Sequence, residues 1–425
     1  MHRKTPIYAI CSRVLCLLPL SVGLAQYALG ENEPLWFPAN GKSWFLLGAN
    51  YPWYNGYRGL DLGPYLGTKT IATVAFNSPK NSGFGRDIQF PPSPIRPGTT
   101  GFNPDGIAAQ LQDMRGIGIH VLRWFFGNDG RSLMLFDQHG NCTGLDSTAS
   151  GNVDRVLALA ESRGVYLVPV LFDFRFIGGD HWLKFEDGSS GTGHADIVRD
   201  AEKRKSLIEN FVKPLVQRCA DSKAILYWEI MNEAGNVVEG RDPVTGFAQE
   251  GNGRIPGQDK VSIVEMQTFL NEVYDAIKSV DQNHPVMPSG LGRPRQLPLV
   301  VGRVKADLFG AHYNDDGSDW DRIESVADIS SELHRRFGLV LDKPLVMTEG
   351  PAEIDRHLNE YVQHAYDGGW AGYLAWSYYR LIGYNGLKRY PRIITSKDAT
   401  PAGRANIDFY RRFNQLHPDA VKLGM

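Results

Sequence analysis

The sequence predicts a single (β/α)8 barrel, a TIM barrel with long βα loops at its C-terminal face, and three observations carry that expectation. Eight apolar, strand-like runs alternate with helix-period stretches from about Trp44 to the C-terminus. Most of these runs are followed by a helix and are apolar on both faces, as the strands of a parallel sheet covered by helices must be. The connections are also unequal. Helix-to-strand joints are tight and turn on glycine ("RGIGIHVLRW", "SRGVYLVPV", "GGWAGYLAW"), whereas strand-to-helix joints are long, notably Tyr51 to Asn103, Arg175 to Arg199 and Ala234 to Val261. A barrel that carries its site on elaborate βα loops is built in this way. A doubly wound open sheet is the alternative fold, but no GxGxxG or P-loop follows any strand, so no nucleotide site is expected.

The first strand is "WFLLGAN" (Trp44 to Asn50). The loop behind it is too long for a plain connection, and its "FPPSPIRPG" segment resists regular structure, so it is expected to cover part of a cleft. "HVLRWFF" (His120 to Phe126) is the second strand and "VYLVPVLFDF" (Val165 to Phe174) the third. "AILYWEIMN" (Ala224 to Asn232) and "PVMPS" (Pro285 to Ser289) follow as fourth and fifth. "LFGAHY" (Leu308 to Tyr313), "PLVMTE" (Pro344 to Glu349) and "GYLAWSY" (Gly372 to Tyr378) complete the set. Helix periodicity lies between them in "PDGIAAQLQDMRGIG", "VDRVLALAESRG", "SLIENFVKPLVQRCA", "SIVEMQTFLNEVYDAIKSV" and "LNEYVQHAYDGG".

The N-terminus reads as a secretory signal over residues 1–30, with cleavage near residue 25 or 30 and a catalytic domain over 31–425. Arg3, Lys4 and Arg13 supply positive charge, and "VLCLLPLSVGLA" is an apolar run too short to span a bilayer. The mature chain is therefore expected to be secreted or periplasmic, with no stable membrane association once the signal is removed. Of the four cysteines, Cys142 and Cys219 lie outside that segment; a disulfide between them is permitted but not shown by sequence. "NCT" at Asn141 is a glycosylation sequon only in a eukaryotic host. The composition, 42% hydrophobic and 22% charged over 425 residues, is that of a globular protein with ample core. A net charge of -2 gives no case for nucleic acid or an anionic membrane surface. The histidines show no HxxxH or HExxH spacing, so no metal site or cofactor is expected.

Two carboxylates end core strands. "YWEIMNE" stops on Asn232 and Glu233, where the fourth strand meets its loop, and "LVMTEG" ends the seventh strand on Glu349. A barrel sets strands four and seven across the same mouth. Two carboxylates facing each other there suit glycoside hydrolysis, one protonating the departing oxygen and the other attacking the anomeric carbon. The charge of an ionised Glu349 is expected to raise the pKa of Glu233 and keep it protonated. Glu229 is a rival carboxylate, but it lies inside its strand, where an interior partner is expected.

These motifs resemble clan A retaining glycoside hydrolases, closest to family 5, the cellulase and mannanase group. "YWEIMNE" resembles their acid/base segment, "LVMTEG" their nucleophile strand and "HVLRW" their second strand with its arginine. "AHY" and "AWSY" look like the sixth and eighth strands, and the resemblance spans nearly the whole mature chain. It implies that Glu233 is the acid/base and Glu349 the nucleophile. It further implies that Asn232 bonds the sugar 2-hydroxyl, that Arg123 lies beneath Glu349, that His312 touches the acid/base or the sugar, and that Trp376 floors the central subsite. Two departures stand out. His312 and Tyr313 are adjacent instead of spaced His-x-Tyr; Tyr313 is kept as a substrate-binding candidate beside His312, although strand alternation turns adjacent side chains to opposite faces. "Phe172-Asp173-Phe174" replaces a histidine at the end of strand three, which leaves Asp173 for a sugar-binding role.

Trp53, Trp124, Trp182 and Trp320 are candidate sugar platforms, because CH faces of sugars pack on aromatic rings; loop packing stays open for each. Trp44 and Trp228 are read as core. Arg123 in an ordinary ion pair and His312 as a core histidine are the structural alternatives. The expected partner is a carbohydrate, and the chain is expected to be a monomer. A non-catalytic carbohydrate-binding barrel and a secreted esterase are the rival functions. The first would not need both carboxylates, and the second would need a GxSxG elbow that "GSSGTG" does not supply.

Overall fold

In a computed structural model of the chain the eight apolar runs close into one parallel barrel. The structure describes residues 37–39, 42–51, 71–74, 102, 104–127, 133–178, 183–185, 193–251, 259–313, 323–352, 358–383 and 395–417. The chain divides after Glu33 into two units, of which the first, Met1–Glu33, lies outside the described residues. The signal segment, Trp53, Trp182, Trp320 and the segment from Pro79 to Pro97 lie outside them as well.

The barrel strands are β1 (Leu46–Asn50), β2 (Val121–Phe125), β3 (Tyr166–Asp173), β4 (Trp228–Asn232), β5 (Val286–Leu291), β6 (Phe309–His312), β7 (Leu345–Pro351) and β8 (Gly372–Trp376). Each pairs with its sequence neighbour in parallel, and β8 closes on β1 through Gly372↔Leu46 and Ala375↔Ala49. Alternation sorts the side chains into two cores. Leu46, Val121, Val168, Tyr227, Met287, Val346 and Leu374 fill the lumen. Their neighbours in sequence, among them Leu47, Leu122, Trp124, Trp228 and Met347, join the larger core that also takes in the helices. Trp228 is fully buried and its Nε1 donates to Asp281 Oδ2 at 2.9 Å, in keeping with its place in the core.

Helices occupy the sequence stretches that carried their period, with caps that the sequence supplies. Ser147–Arg163 starts on Asp146, whose carboxylate accepts from Ala149 N, and ends on Gly164 at φ 64°. Ile263–Val280 opens with a reciprocal capping box between Ser262 and Glu265. The helix from Ala201 to Cys219 contains a π turn at Ile208–Val212 just before Pro214. A proline inside a helix has no N–H for its i−4 carbonyl, and a π turn is one way to absorb the missing bond.

Two departures shape the site face. After β5 no α-helix follows; the chain turns through a 3-10 segment, Pro294–Leu299, before β6. Pro294 and Pro298 each lack an amide donor, which disfavours a longer α-helix there. The long β4 loop is itself partly a sheet, in which Val238–Arg241 pairs with both Ala248–Glu250 and Val261–Ser262. The β1 and β3 loops also meet, as Ile71–Val74 pairs antiparallel with Leu183–Phe185. Cys142 and Cys219 are both buried and are not joined in a disulfide, and burial pushes the Cys219 thiol up to about 12. Among the described residues no helix is long and apolar enough to cross a membrane.

Candidate active site

Arg123 is the hub of the barrel mouth. It enters the lumen because it shares a strand face with Val121 and Phe125 on β2, and it is fully buried. Its guanidinium makes five hydrogen bonds, which matches its five N–H donors. Nε and Nη2 form a fork with Glu229 at 2.7 and 2.6 Å; Nη2 also donates to Asn232 Oδ1 at 2.7 Å. Nη1 donates to Asn50 Oδ1 at 2.9 Å and to Glu349 Oε1 at 2.8 Å. One side chain thus ties together β1, β4 and β7. Burial works against its charge, but Glu229 and Glu349 outweigh it and hold Arg123 above its ordinary value. Removing one partner from such a buried set leaves an uncompensated charge, which typically costs about 3–5 kcal/mol. Arg123→Leu is accordingly expected to lower unfolding stability by about that amount in urea titration, because Glu229 keeps its burial and loses its counter-ion. A loss below about 1 kcal/mol would mean that the hub is not what holds these strands.

Glu349 reaches the lumen through a register shift. On strict alternation from Val346, Thr348 faces in and Glu349 faces out. The β7–β8 pairing shifts between Met347 and Gly350, and the β6–β7 pairing jumps from Ala311↔Met347 to His312↔Glu349. The extra residue turns Glu349 inward beside Thr348. On β4 the parity changes too: Glu229 and Asn232, three apart, both bond Arg123. Glu233 then follows at φ 50°, the one positive φ outside glycine among the described residues. A left-handed glutamate is disfavoured by its Cβ, and such strain collects where a side chain must be aimed.

Glu233 and Glu349 meet at the mouth. One oxygen of each and a ring nitrogen of His312 all lie within 4.8 Å of one another. His312 Nδ1 is 3.2 Å from Glu233 Oε1 and 3.4 Å from Glu349 Oε2, and Asn236 Nδ2 donates to Glu233 Oε2 at 2.8 Å. These three residues are also the group that could ligate a cation. Arg123, however, already brings a positive charge onto Glu349.

The electrostatic balance corrects the expectation that Glu349 holds Glu233 up. Burial does press Glu233 upward, but the hydrogen bond and charge of His312, with help from Arg175 and Arg123, hold it below its ordinary value. Glu349 is the raised member: burial outweighs the pull of His312 and Arg123, and the charge of Glu233 adds to it. Of the pair, Glu349 is thus the carboxyl held above its ordinary value and Glu233 the one held below it.

Asn232 links Arg123 to Asp173, donating from Nδ2 to Asp173 Oδ2 at 2.8 Å. Asp173 is buried, and it also accepts from the backbone N and Nη1 of Arg175. Desolvation raises its pKa against those bonds. Trp376 stands half-buried at the end of β8, its ring edge-to-face with Phe125 at 6.4 Å. Two expected contacts are corrected. Trp124 is fully buried and packs edge-to-face on Tyr51 and Phe126, because Arg123 and Phe125 take the lumen side and turn it outward. Tyr313 likewise turns away: its hydroxyl accepts from Glu324 N at 3.0 Å and its ring meets Trp370.

Asn50 and Thr348 are site residues that motif reading missed. Asn50 accepts from Arg123 and donates to Thr348 O at 2.8 Å, so it braces β1 against the turn that carries Glu349. Its signal was available, since it is a polar residue ending an apolar strand, as Asn232 and Glu233 are. Glu229 has the interior partner expected of it, and that partner is Arg123.

No family model matches the chain. Among curated proteins, mannan endo-1,4-beta-mannosidase F of Aspergillus clavatus is 24% identical over 247 residues, which cover 55% of this chain and 49% of that one. The chain thus spans about half the length of that relative. Mannan endo-1,4-beta-mannosidase of Cryptopygus antarcticus is 22% identical over 298 residues, 63% of this chain and 72% of that one. The solved beta-1,4-mannanase from the sea hare Aplysia kurodai superposes with a TM-score of 0.62 at 18% identity, covering 93% of this chain and 99% of that one. The barrel fold and the resemblance to the family 5 cellulase and mannanase group are borne out by these likenesses.

Proposed function

We propose that the chain is a secreted, retaining glycoside hydrolase acting on a β-linked polysaccharide, with β-1,4-mannan the first substrate to try. The observation that carries this is the carboxylate pair within 4.8 Å, one member in the grip of Arg123. Retaining enzymes hold their carboxyl groups about 5–5.5 Å apart, whereas inverting ones leave roughly 6.5–9.5 Å for a water. The names of the relatives supply mannan.

In this mechanism Glu349 attacks the anomeric carbon while Glu233 gives its proton to the leaving oxygen, and water then releases the sugar with Glu233 as base. Arg123 orients Glu349 and stabilises its ionised form. Glu233 still touches water, with 14% of its side chain exposed. A sugar seated over it strips that water and disfavours its charge, which moves the proton of the pair toward the acid. Asn232, fixed between Arg123 and Asp173, meets the 2-hydroxyl, and Trp376 lies beneath the ring. The Asp173 role is then to hold Asn232 rather than to bind sugar itself. The chain is secreted after cleavage near residue 25 or 30, which N-terminal sequencing of exported protein tests.

Reducing-sugar release from a panel of β-mannan, β-glucan and xylan, followed by NMR of the first-formed anomer, tests the reading. A β anomer from a β-linked substrate is expected, and an α anomer would remove the retaining assignment. Binding without turnover would favour a carbohydrate-binding barrel, and turnover of aryl esters alone an esterase. Chelation gives a further check. EDTA is expected to leave the rate unchanged; a loss restored by an added divalent cation would reassign Glu233, His312 and Glu349 as ligands.

A further inference from the structure

Near Glu233 lies a buried side-chain carbonyl oxygen that accepts no hydrogen bond, Oε1 of Gln296. It sits in the 3-10 turn Pro294–Leu299 that replaces the helix after β5. Gln296 is 8% exposed, and its Oε1 accepts no hydrogen bond. Two glycines fix where the amide lies. A Cβ built on Gly292 would stand 3.3 Å from Gln296 Oε1, 3.4 Å from Glu233 Oε1 and 3.8 Å from Asn236 Oδ1, so three oxygens converge on one point. A Cβ on Gly235 would come within 2.7 Å of Gln296 Cδ, so only glycine at that position lets the amide lie where it does.

An unsatisfied buried carbonyl is costly, whereas leucine would fill similar space with no such cost. An oxygen kept in that state next to a reactive carboxylate is accounted for by a ligand that completes it. Glu233, read as the acid, meets the glycosidic oxygen of the departing sugar, and Gly292, having no side chain, leaves open the space next to both Glu233 Oε1 and Gln296 Oε1. We propose that Gln296 is a specificity-determining residue whose Oε1 accepts a hydroxyl of the leaving-group sugar. The inference rests on the glycosidase reading and extends it to the leaving side of the cleft.

The test compares two leaving groups on the native chain and on Gln296→Leu. One substrate is the β-1,4-linked tetrasaccharide that the native chain cleaves, whose leaving group carries sugar hydroxyls. The other is the 4-nitrophenyl glycoside of the same sugar, whose leaving group has none to offer. The ratio of kcat/KM for the first over the second is expected to fall about fivefold to tenfold, the loss of one hydrogen bond. The Tm is expected to hold or rise, because an orphaned acceptor has been removed. Gln296→Ala gives the same ratio independently of how leucine packs. A ratio equal to the native one in both variants would overturn the proposal, even if both rates fell together. A native chain that turned over neither substrate, nor any of the polysaccharide panel, would instead remove the glycosidase reading and this inference with it.

Discussion

Glu349→Ala is expected to lower turnover of every substrate, activated or not, by at least about 10⁴-fold, the scale of losing a covalent nucleophile. Among the described residues no other carboxylate is placed to replace it. Glu229 is locked in a fork with Arg123, and Glu233 is held by His312 and Asn236. Mass spectrometry of protein treated with a 2-fluoro glycoside should find the sugar on Glu349 in the native chain and no adduct in the variant. An adduct on another residue would move the nucleophile. The pH dependence carries a sign. The nucleophile works ionised, so kcat/KM rises as pH climbs through the pKa of Glu349. Burial raises that pKa, so the acid limb is expected above the ordinary glutamate value of 4.5. The two limbs belong to the pair, since the protons leave a coupled dyad in two macroscopic steps.

Glu233→Ala is expected to behave differently from one substrate to the next. Hydrolysis of unactivated glycosides should fall by about 10²–10⁴-fold, the usual contribution of a positioned acid. Glycosylation by dinitrophenyl glycosides should be nearly spared, because that leaving group needs no proton. The glycosyl-enzyme then accumulates, since the same residue must activate water. A burst of dinitrophenol followed by a slow steady state is expected, and azide should restore the steady rate by attacking without a base. A variant with an unaltered rate and pH profile would remove Glu233 from the acid/base role. The backbone is a separate readout: Glu233→Gly relieves the left-handed conformation at φ 50° and should be more stable than Glu233→Ala, by about 1 kcal/mol.

The amino-acid sequence by itself determined the architecture and the two carboxylates. Eight apolar runs, tight glycine turns on one side and long loops on the other leave few arrangements other than a parallel barrel. A carboxylate at the end of a buried strand is conspicuous because burial without a task is costly. Tertiary structure decided which way the side chains turn. Trp124 reads as a platform in the linear sequence, and only the lumen position of Arg123 turns it outward into the core. Strict alternation would send Glu349 away from Arg123, and the register shift on β7 reverses that. A bulge depends on how neighbouring strands pair, and no local propensity records it. The lowered Glu233 and raised Glu349 were likewise beyond the sequence, because a pKa sums burial and charges from residues as distant in the chain as Arg123, His312 and Glu349. Asn50, Arg123, Glu229 and Thr348 form one network whose bonded partners lie 73, 106 and 298 positions apart in the chain, and only the closed barrel brings their atoms to hydrogen-bonding distance.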